Sequence, residues 1–224
     1  MLKLAIDTSS TSGSFAFAKD DEVIFEHYFK VKITHSETLL PNIDKALKSL
    51  GYKPSDINKL LICIGPGSFT GMRIGLATAK GISYGLKIPI VAYTSLELTA
   101  ANLIGNKLPI LSFIDARMKE VYTALYSSDM QELIKPSNCK PLEFLESINT
   151  PVIVAGSGVK EYSDLLTSKP DIFHIAPIHL QIPKASGLFS LETILPKDET
   201  FNLEQLFKLE PEYLRLSQAE LARK

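Results

Sequence analysis

The chain has no tryptophan, and only two cysteines and four histidines among its 224 residues. Cys63 and Cys139 stand far apart, with no Cys-x-x-Cys pair and no histidine clustered beside them. This argues against a disulfide framework and against a structural zinc. Cys63 lies in an apolar run and reads as a small buried hydrophobe. Charge of one sign is not in excess: 24 Lys and Arg against 25 Asp and Glu give a formal net charge of −1. The lysines are dispersed, so no global basic field draws nucleic acid to this chain alone. No apolar run approaches the ~20 residues that span a bilayer. The opening MLKLAIDTSS has too short an apolar stretch and too early an acid for a secretion signal, so a cytoplasmic protein without a membrane partner is expected. The serines lack a recognisable base partner or nucleophile elbow, so nothing supports a peptidase.

What is present is organised around residues 60–86, LLICIGPGSFTGMRIGLATAKGISYGL. Leu60–Ile64 suits a buried strand, Gly65-Pro66-Gly67-Ser68 is a turn by composition, and a helix-length pattern follows. Ser68 or Thr70 can cap that helix. Gly71, Gly75 and Ala79 fall at i, i+4, i+8 and leave one helix face bare. A strand, a glycine turn and a helix N-terminus can cradle an anion. The same glycines can instead serve close helix packing. The pattern is neither a P-loop, since Met72-Arg73 follows Gly71, nor a Rossmann GxGxxG, since Thr70 stands where its third glycine would be.

In chain order, Leu2–Asp7 reads as a strand ending in an acid, followed by a Thr/Ser turn and two more strands, Ser14–Ala18 and Glu22–Phe29. The turn at Asp7, Thr8 and Ser9 is phosphate-loop-like in grammar, or simply an Asx or Ser/Thr turn. Thr34 to Glu37 has capping-box spacing, and Leu39, Leu40, Ile43, Ala46, Leu47 and Leu50 recur at helical spacing up to Gly51. Pro41 should kink that helix or delay its start. Thr94-Ser95-Leu96-Glu97 opens a further helix with the same capping spacing. Pro109–Asp115 and Glu120–Tyr126 then repeat the opening order of strand, Asp, short turn, strand. Val152–Ala155 runs into Gly156-Ser157-Gly158 and a helix. The repeat predicts an α/β chain in two lobes, 1–106 and 107–224, with a C-terminal helix that can pack back on the first.

LAIDTSS, HSETLLP, GPGSFTGMRIGLATAKG, TSLE, IDARMKEVYTALY, GSG and PEYLR together resemble the TsaB (YeaZ) family, in that family's order. The resemblance implies a two-lobed ASKHA fold, the ribonuclease H-like architecture of actin, Hsp70 and sugar kinases. It implies a non-catalytic subunit that pairs with a catalytic paralogue, TsaD, and with an ATPase, TsaE, in placing threonylcarbamoyl on the tRNA adenosine next to the anticodon. ATP and Mg would be used by the partners, tRNA would be met only through the complex, and the isolated chain could form a homodimer. The paralogue's metal-binding HxxxH falls here on Ser95 and Thr99, and His27, His35, His174 and His179 make no HxxxH elsewhere. No metal, no cofactor and no catalytic residue are therefore expected in this subunit. Asp7, Thr8, Ser9, Gly65, Gly67, Ser68, Gly71, Asp115, Gly156 and Gly158 would mark a vestigial nucleotide cleft. Leu39, Leu40, Ile43 and Leu47 would form the partner surface. For Arg73 and Arg117 a structural ion pair is the expected role. The competing reading is an active ASKHA phosphotransferase that uses Asp7 and Asp115 as metal-side carboxylate and base.

Overall fold

The computed structural model describes residues 1–30 and 35–215. Thr34 of the expected capping box and the expected C-terminal helix 217–224 lie outside those residues. The chain divides into two compact units, Met1–Leu98 with Lys184–Pro211, and Thr99–Pro183 with the segment from Glu212 onward.

In the first unit, β1 (Leu2–Asp7), β2 (Ser12–Lys19) and β3 (Glu22–Lys30) form an antiparallel meander. Helix α1 (His35–Ser49) leads to β4 (Ile57–Cys63), and α2 (Phe69–Leu86) leads to β5 (Ile90–Tyr93). β4 and β5 run parallel to β1, so the sheet order is β3-β2-β1-β4-β5. α3 (Ser95–Ala101) follows. In the second unit, β6 (Ile110–Arg117), β7 (Glu120–Tyr126) and β8 (Glu132–Cys139) form the meander. α4 (Pro141–Ser147), β9 (Val152–Ala155), α5 (Gly158–Glu161), α6 (Ser163–Thr167) and β10 (Phe173–Ile175) complete it. Its order, β8-β7-β6-β9-β10, is the order of the first sheet repeated, again with the last two strands parallel to the first. The repeat seen as strand, Asp, turn, strand is thus a repeat of whole sheets. β8 had no sequence signal: its apolar residues do not alternate and it contains Pro136, which an edge strand tolerates because one row of its N–H groups has no partner strand.

Leu4, Ile6, Phe15, Phe17, Leu60 and Ile62 form one face of the first sheet and pack with Leu39, Ile43, Ala46 and Leu47 of α1 and Leu76 and Ala79 of α2. Each of the leucine, isoleucine and phenylalanine side chains contributes about 1.5–3 kcal/mol by leaving water. α1 runs through Pro41 instead of starting after it. This placement corrects the expected partner surface. Leu39, Ile43 and Leu47 recur every third or fourth residue and point into the chain's own core, while Leu40, about 100° around the helix, is 52% exposed.

The expected boundary at 106/107 also moves. The first unit ends at Leu98 and regains the chain at Lys184. α7 (Gly187–Ile194) lies against β4, on the sheet face opposite α1 and α2, with Leu188 and Leu191 buried. α8 (Leu203–Lys208) packs on α2. The reason for the return is electrostatic as well as apolar. Lys59 is buried on β4, and its ammonium meets Glu192 of α7 and Glu199. Lys3 of β1 reaches the same Glu192 at 2.6 Å. Burial pushes the Glu192 carboxyl up, but the hydrogen bonds and charges of Lys3 and Lys59 together hold it below its ordinary value.

A carboxyl held below its unfolded value stabilises the fold above that value, and the contribution is lost as pH falls through the folded one. Unfolding titrations should therefore show the first unit losing stability as pH drops below about 4.5, the ordinary glutamate value. Glu192→Gln should cost about 3 kcal/mol at neutral pH, because Lys59 loses a buried counter-charge. It should also flatten the acid limb of the stability profile. An unchanged limb would assign that limb to other carboxylates.

Candidate functional site

The glycine turn after β4 and the Thr/Ser turn after β1 meet at one end of the first sheet. Ser68 caps α2, its Oγ accepting the Gly71 N–H at 3.2 Å. The Ser68 N–H donates to the Ser9 carbonyl at 2.6 Å, and Thr8 Oγ1 donates to the Gly71 carbonyl at 2.8 Å. The bare helix face is filled by this turn. A Cβ on Gly67 would stand 2.0 Å from the Ser9 carbonyl oxygen, and one on Gly71 would stand 2.1 Å from that of Thr8. A Cβ on Gly75 would stand 2.1 Å from Thr8 Oγ1. Of the two roles open for these glycines, close packing is the one realised in this geometry. The residues do not fit a phosphate at that point, because the groups packed against the helix start are carbonyl oxygens, which repel an anion.

Asp7 is buried and turns inward, accepting the Ser9 N–H at 2.9 Å. Beside it, Cys63 is fully buried; burial first, and the Asp7 charge second, push its thiol up. It is the small buried hydrophobe that its apolar run suggested. Thr94 and Glu97 close a capping box at the start of α3: Thr94 N–H to Glu97 Oε2 is 2.6 Å, and Glu97 N–H to Thr94 Oγ1 is 3.0 Å. Ser95 is buried, its N–H donating to the Gly65 carbonyl at 2.7 Å and its hydroxyl to the Pro66 carbonyl. Thr99 is buried one turn later. Two hydroxyls, one of them committed to a carbonyl, are poor ligands for a transition metal. Among the described residues no group of three His, Cys, Asp or Glu stands close enough to hold a metal ion.

Asp115, Gly156 and Gly158 come together in the second unit. The Asp115 N–H donates to Ser157 Oγ at 3.1 Å. A Cβ on Gly156, at φ +121°, would stand 2.3 Å from the Phe113 carbonyl oxygen, and one on Gly158 would stand 2.8 Å from the Phe113 ring. The second unit therefore repeats the close glycine contact of the first. Asp115 Oδ1 accepts the Arg117 N–H at 2.9 Å, and Oδ2 lies 3.5 Å from Arg117 Nε, the ion pair expected of Arg117. The Arg73 guanidinium lies 3.7 Å from the centre of the Phe69 ring. One feature had no signal in composition or spacing. The turn between β6 and β7 holds Arg117, Met118 and Lys119 at φ 63°, 53° and 62°. Three successive left-handed residues without a glycine cost roughly 1 kcal/mol each, the kind of strain that collects at working surfaces.

Two units of the same sheet order, each with a glycine turn pressed against its first strand, define a two-lobed ASKHA α/β protein. Residues 30–186 match the family model described as "TsaD: tRNA N6-adenosine threonylcarbamoyltransferase". The chain is 33% identical to the tRNA threonylcarbamoyladenosine biosynthesis protein TsaB of Bacillus subtilis (strain 168), over 98% of this chain and 96% of that one. It is 32% identical to the protein of the same name from Escherichia coli (strain K12), over 72% and 74%. Among solved structures, YeaZ from Pseudomonas aeruginosa superposes with a TM-score of 0.76 at 26% identity, covering 95% of this chain and 99% of that one. The chain belongs to the TsaB family. No helix among the described residues is long and apolar enough to cross a membrane.

The glycine contacts separate two kinds of position on α2. Gly71→Ala should cost about 1–3 kcal/mol by overpacking the Thr8 carbonyl. Gly81→Ala, where an added Cβ meets nothing within 4 Å, should be neutral or stabilising by up to about 1 kcal/mol. Denaturant titration of the two variants checks this; equal effects would mean that Thr8 and Ser9 yield freely.

Proposed function

We propose that this protein is a non-catalytic subunit of the machinery that makes threonylcarbamoyladenosine in tRNA. It works by pairing with a catalytic paralogue of the TsaD type, with a TsaE-type ATPase joining the pair. The observation that carries the reading is the state of the two places where this fold keeps its chemistry. The helix face that could meet a phosphate takes the protein's own Thr8–Ser9 turn, and Ser95, where the paralogue has a metal-ligating histidine, is spent on the Pro66 carbonyl. The names of the curated relatives supply the pathway. ATP and Mg belong to the partners in this reading, and tRNA is the substrate of the complex. A phosphotransferase built on Asp7 loses support because that carboxylate is buried and engaged by its own turn.

The pairing face is the outer side of α1 and α2. Leu40 stands there on α1, and Gly81 and Gly85 on α2 have open space beyond them. Tyr84 is exposed beside them. A helix of a paralogue with the same fold can approach such a face closely.

Two measurements test the proposal. In a reconstituted assay with threonylcarbamoyl-adenylate, tRNA, the ATPase and ATP, turnover should require both this chain and the catalytic paralogue. Turnover by this chain alone would overturn the non-catalytic reading. Leu40→Asp should weaken pairing at least tenfold in analytical ultracentrifugation with an unchanged circular dichroism spectrum. Leu47→Asp should unfold the first unit, at a cost of about 3 kcal/mol or more for a carboxylate placed in its core. Pairing that survives Leu40→Asp moves the interface elsewhere.

A further inference from the structure

The strained turn between β6 and β7 borders an open pocket of about 710 Å³ in the second unit. Arg117 and Lys119 from the turn and Lys140 before α4 supply its cations. Met118, Leu142 and Tyr162 supply its apolar wall, with Met118 64% exposed. Asp115 and Glu161 also line it. Asp115 is occupied by the turn itself, through the Arg117 N–H at Oδ1 and an exposed pair with Arg117 Nε at 3.5 Å from Oδ2, which a phosphate would have to displace. Lys119 makes no ion pair among the described residues, and Lys140 has only a solvated partner, Glu143 at 3.4 Å. Such surface pairs hold a lysine weakly and release it to a stronger anion.

Cations on a rim beside a methionine whose sulfur accepts from Arg215, a leucine and a tyrosine match the two halves of a nucleotide. The phosphate takes the rim and the base takes the wall. Met118 and Lys119 form the two-residue hairpin loop between paired Arg117 and Glu120, and its left-handed backbone presents Arg117, 76% exposed, and Lys119 outward. We infer that this pocket binds a ribonucleotide of the tRNA, phosphate to Arg117, Lys119 and Lys140, and base against Met118 and Tyr162. The inference rests on the proposed function for its ligand class. It gives the subunit a local hold on RNA that its near-neutral net charge conceals.

The test is a direct titration of end-labelled tRNA transcript with the full chain at low salt, read by fluorescence anisotropy. AMP and a poly-glutamate peptide are titrated separately. Saturable tRNA binding is expected. Arg117→Glu with Lys119→Glu should weaken it at least tenfold and lower the log–log salt slope by about two. Lys140→Glu, outside the strained turn, should weaken it too, whereas Lys53→Glu in the first unit should not. Circular dichroism checks the fold of each variant, and the Lys140 variant decides the matter if the turn variant unfolds. Absence of saturable tRNA binding, or equal affinity in wild type and Lys140→Glu, overturns the inference. So does pocket-dependent binding of AMP or of poly-glutamate without binding of tRNA. The assay stands apart from the transfer reaction. A chain that fails to bind tRNA but is required for transfer sinks only this inference. A chain that binds through the pocket but is dispensable for transfer sinks only the proposed function.

Discussion

The contact on which the first unit depends is the approach of the Thr8–Ser9 backbone to the bare face of α2. It needs three positions without a Cβ, Gly67, Gly71 and Gly75, and each would collide at about 2 Å if given one. It engages the Ser68 N–H at the helix start and the Gly71 carbonyl one turn in. It turns Asp7 inward, beside Cys63. It leaves the Gly65 and Pro66 carbonyls facing α3, where Ser95 satisfies both. β1, α2 and α3 are thereby tied at one end of the sheet by polar groups. The second unit has a shorter form of the same device, with Gly156 against the Phe113 carbonyl.

A second constraint acts on the opposite face of that sheet. Lys59 sits on an interior strand and is buried, which is tolerable only with carboxylates brought to it. Glu192 and Glu199 lie more than a hundred residues further along the chain and meet it there. The ion cluster, with Leu188 and Leu191 around it, explains why the chain leaves the first unit and later returns to cover it.

The outward surfaces of the units differ in chemistry. In the first unit the outer face has Gly81 and Gly85 on α2, Tyr84 against Phe207 of α8, and exposed Leu40 on α1, which suits the flank of another helix. In the second unit the prominent feature is a strained turn with two cations and a methionine at its tip, which suits a charged, flat ligand.

The sequence by itself determined the repeated α/β plan, a hydroxyl cap for α2 at Ser68 or Thr70, the capping of α3 by Thr94 with Glu97, and the burial of Cys63. These follow from local chemistry: strand propensity, helix-end hydrogen bonds and apolar neighbours. The family was legible too, because its motifs are long and spread along the chain. The tertiary structure alone decided the rest. Whether Gly67 and Gly71 meet a phosphate or a carbonyl depends on where another strand's turn lands. Which leucines of α1 face the core depends on the helix's rotation against the sheet, so Leu39, Ile43 and Leu47 went inward and Leu40 stayed out. The membership of 184–211 in the first unit depends on a buried lysine's need for charge from far along the chain. β8 and the left-handed turn at 117–119 carried no pattern, because an edge strand needs little alternation and strain leaves no mark in composition. Contacts between residues distant in sequence settle such questions, and no periodicity or spacing records them.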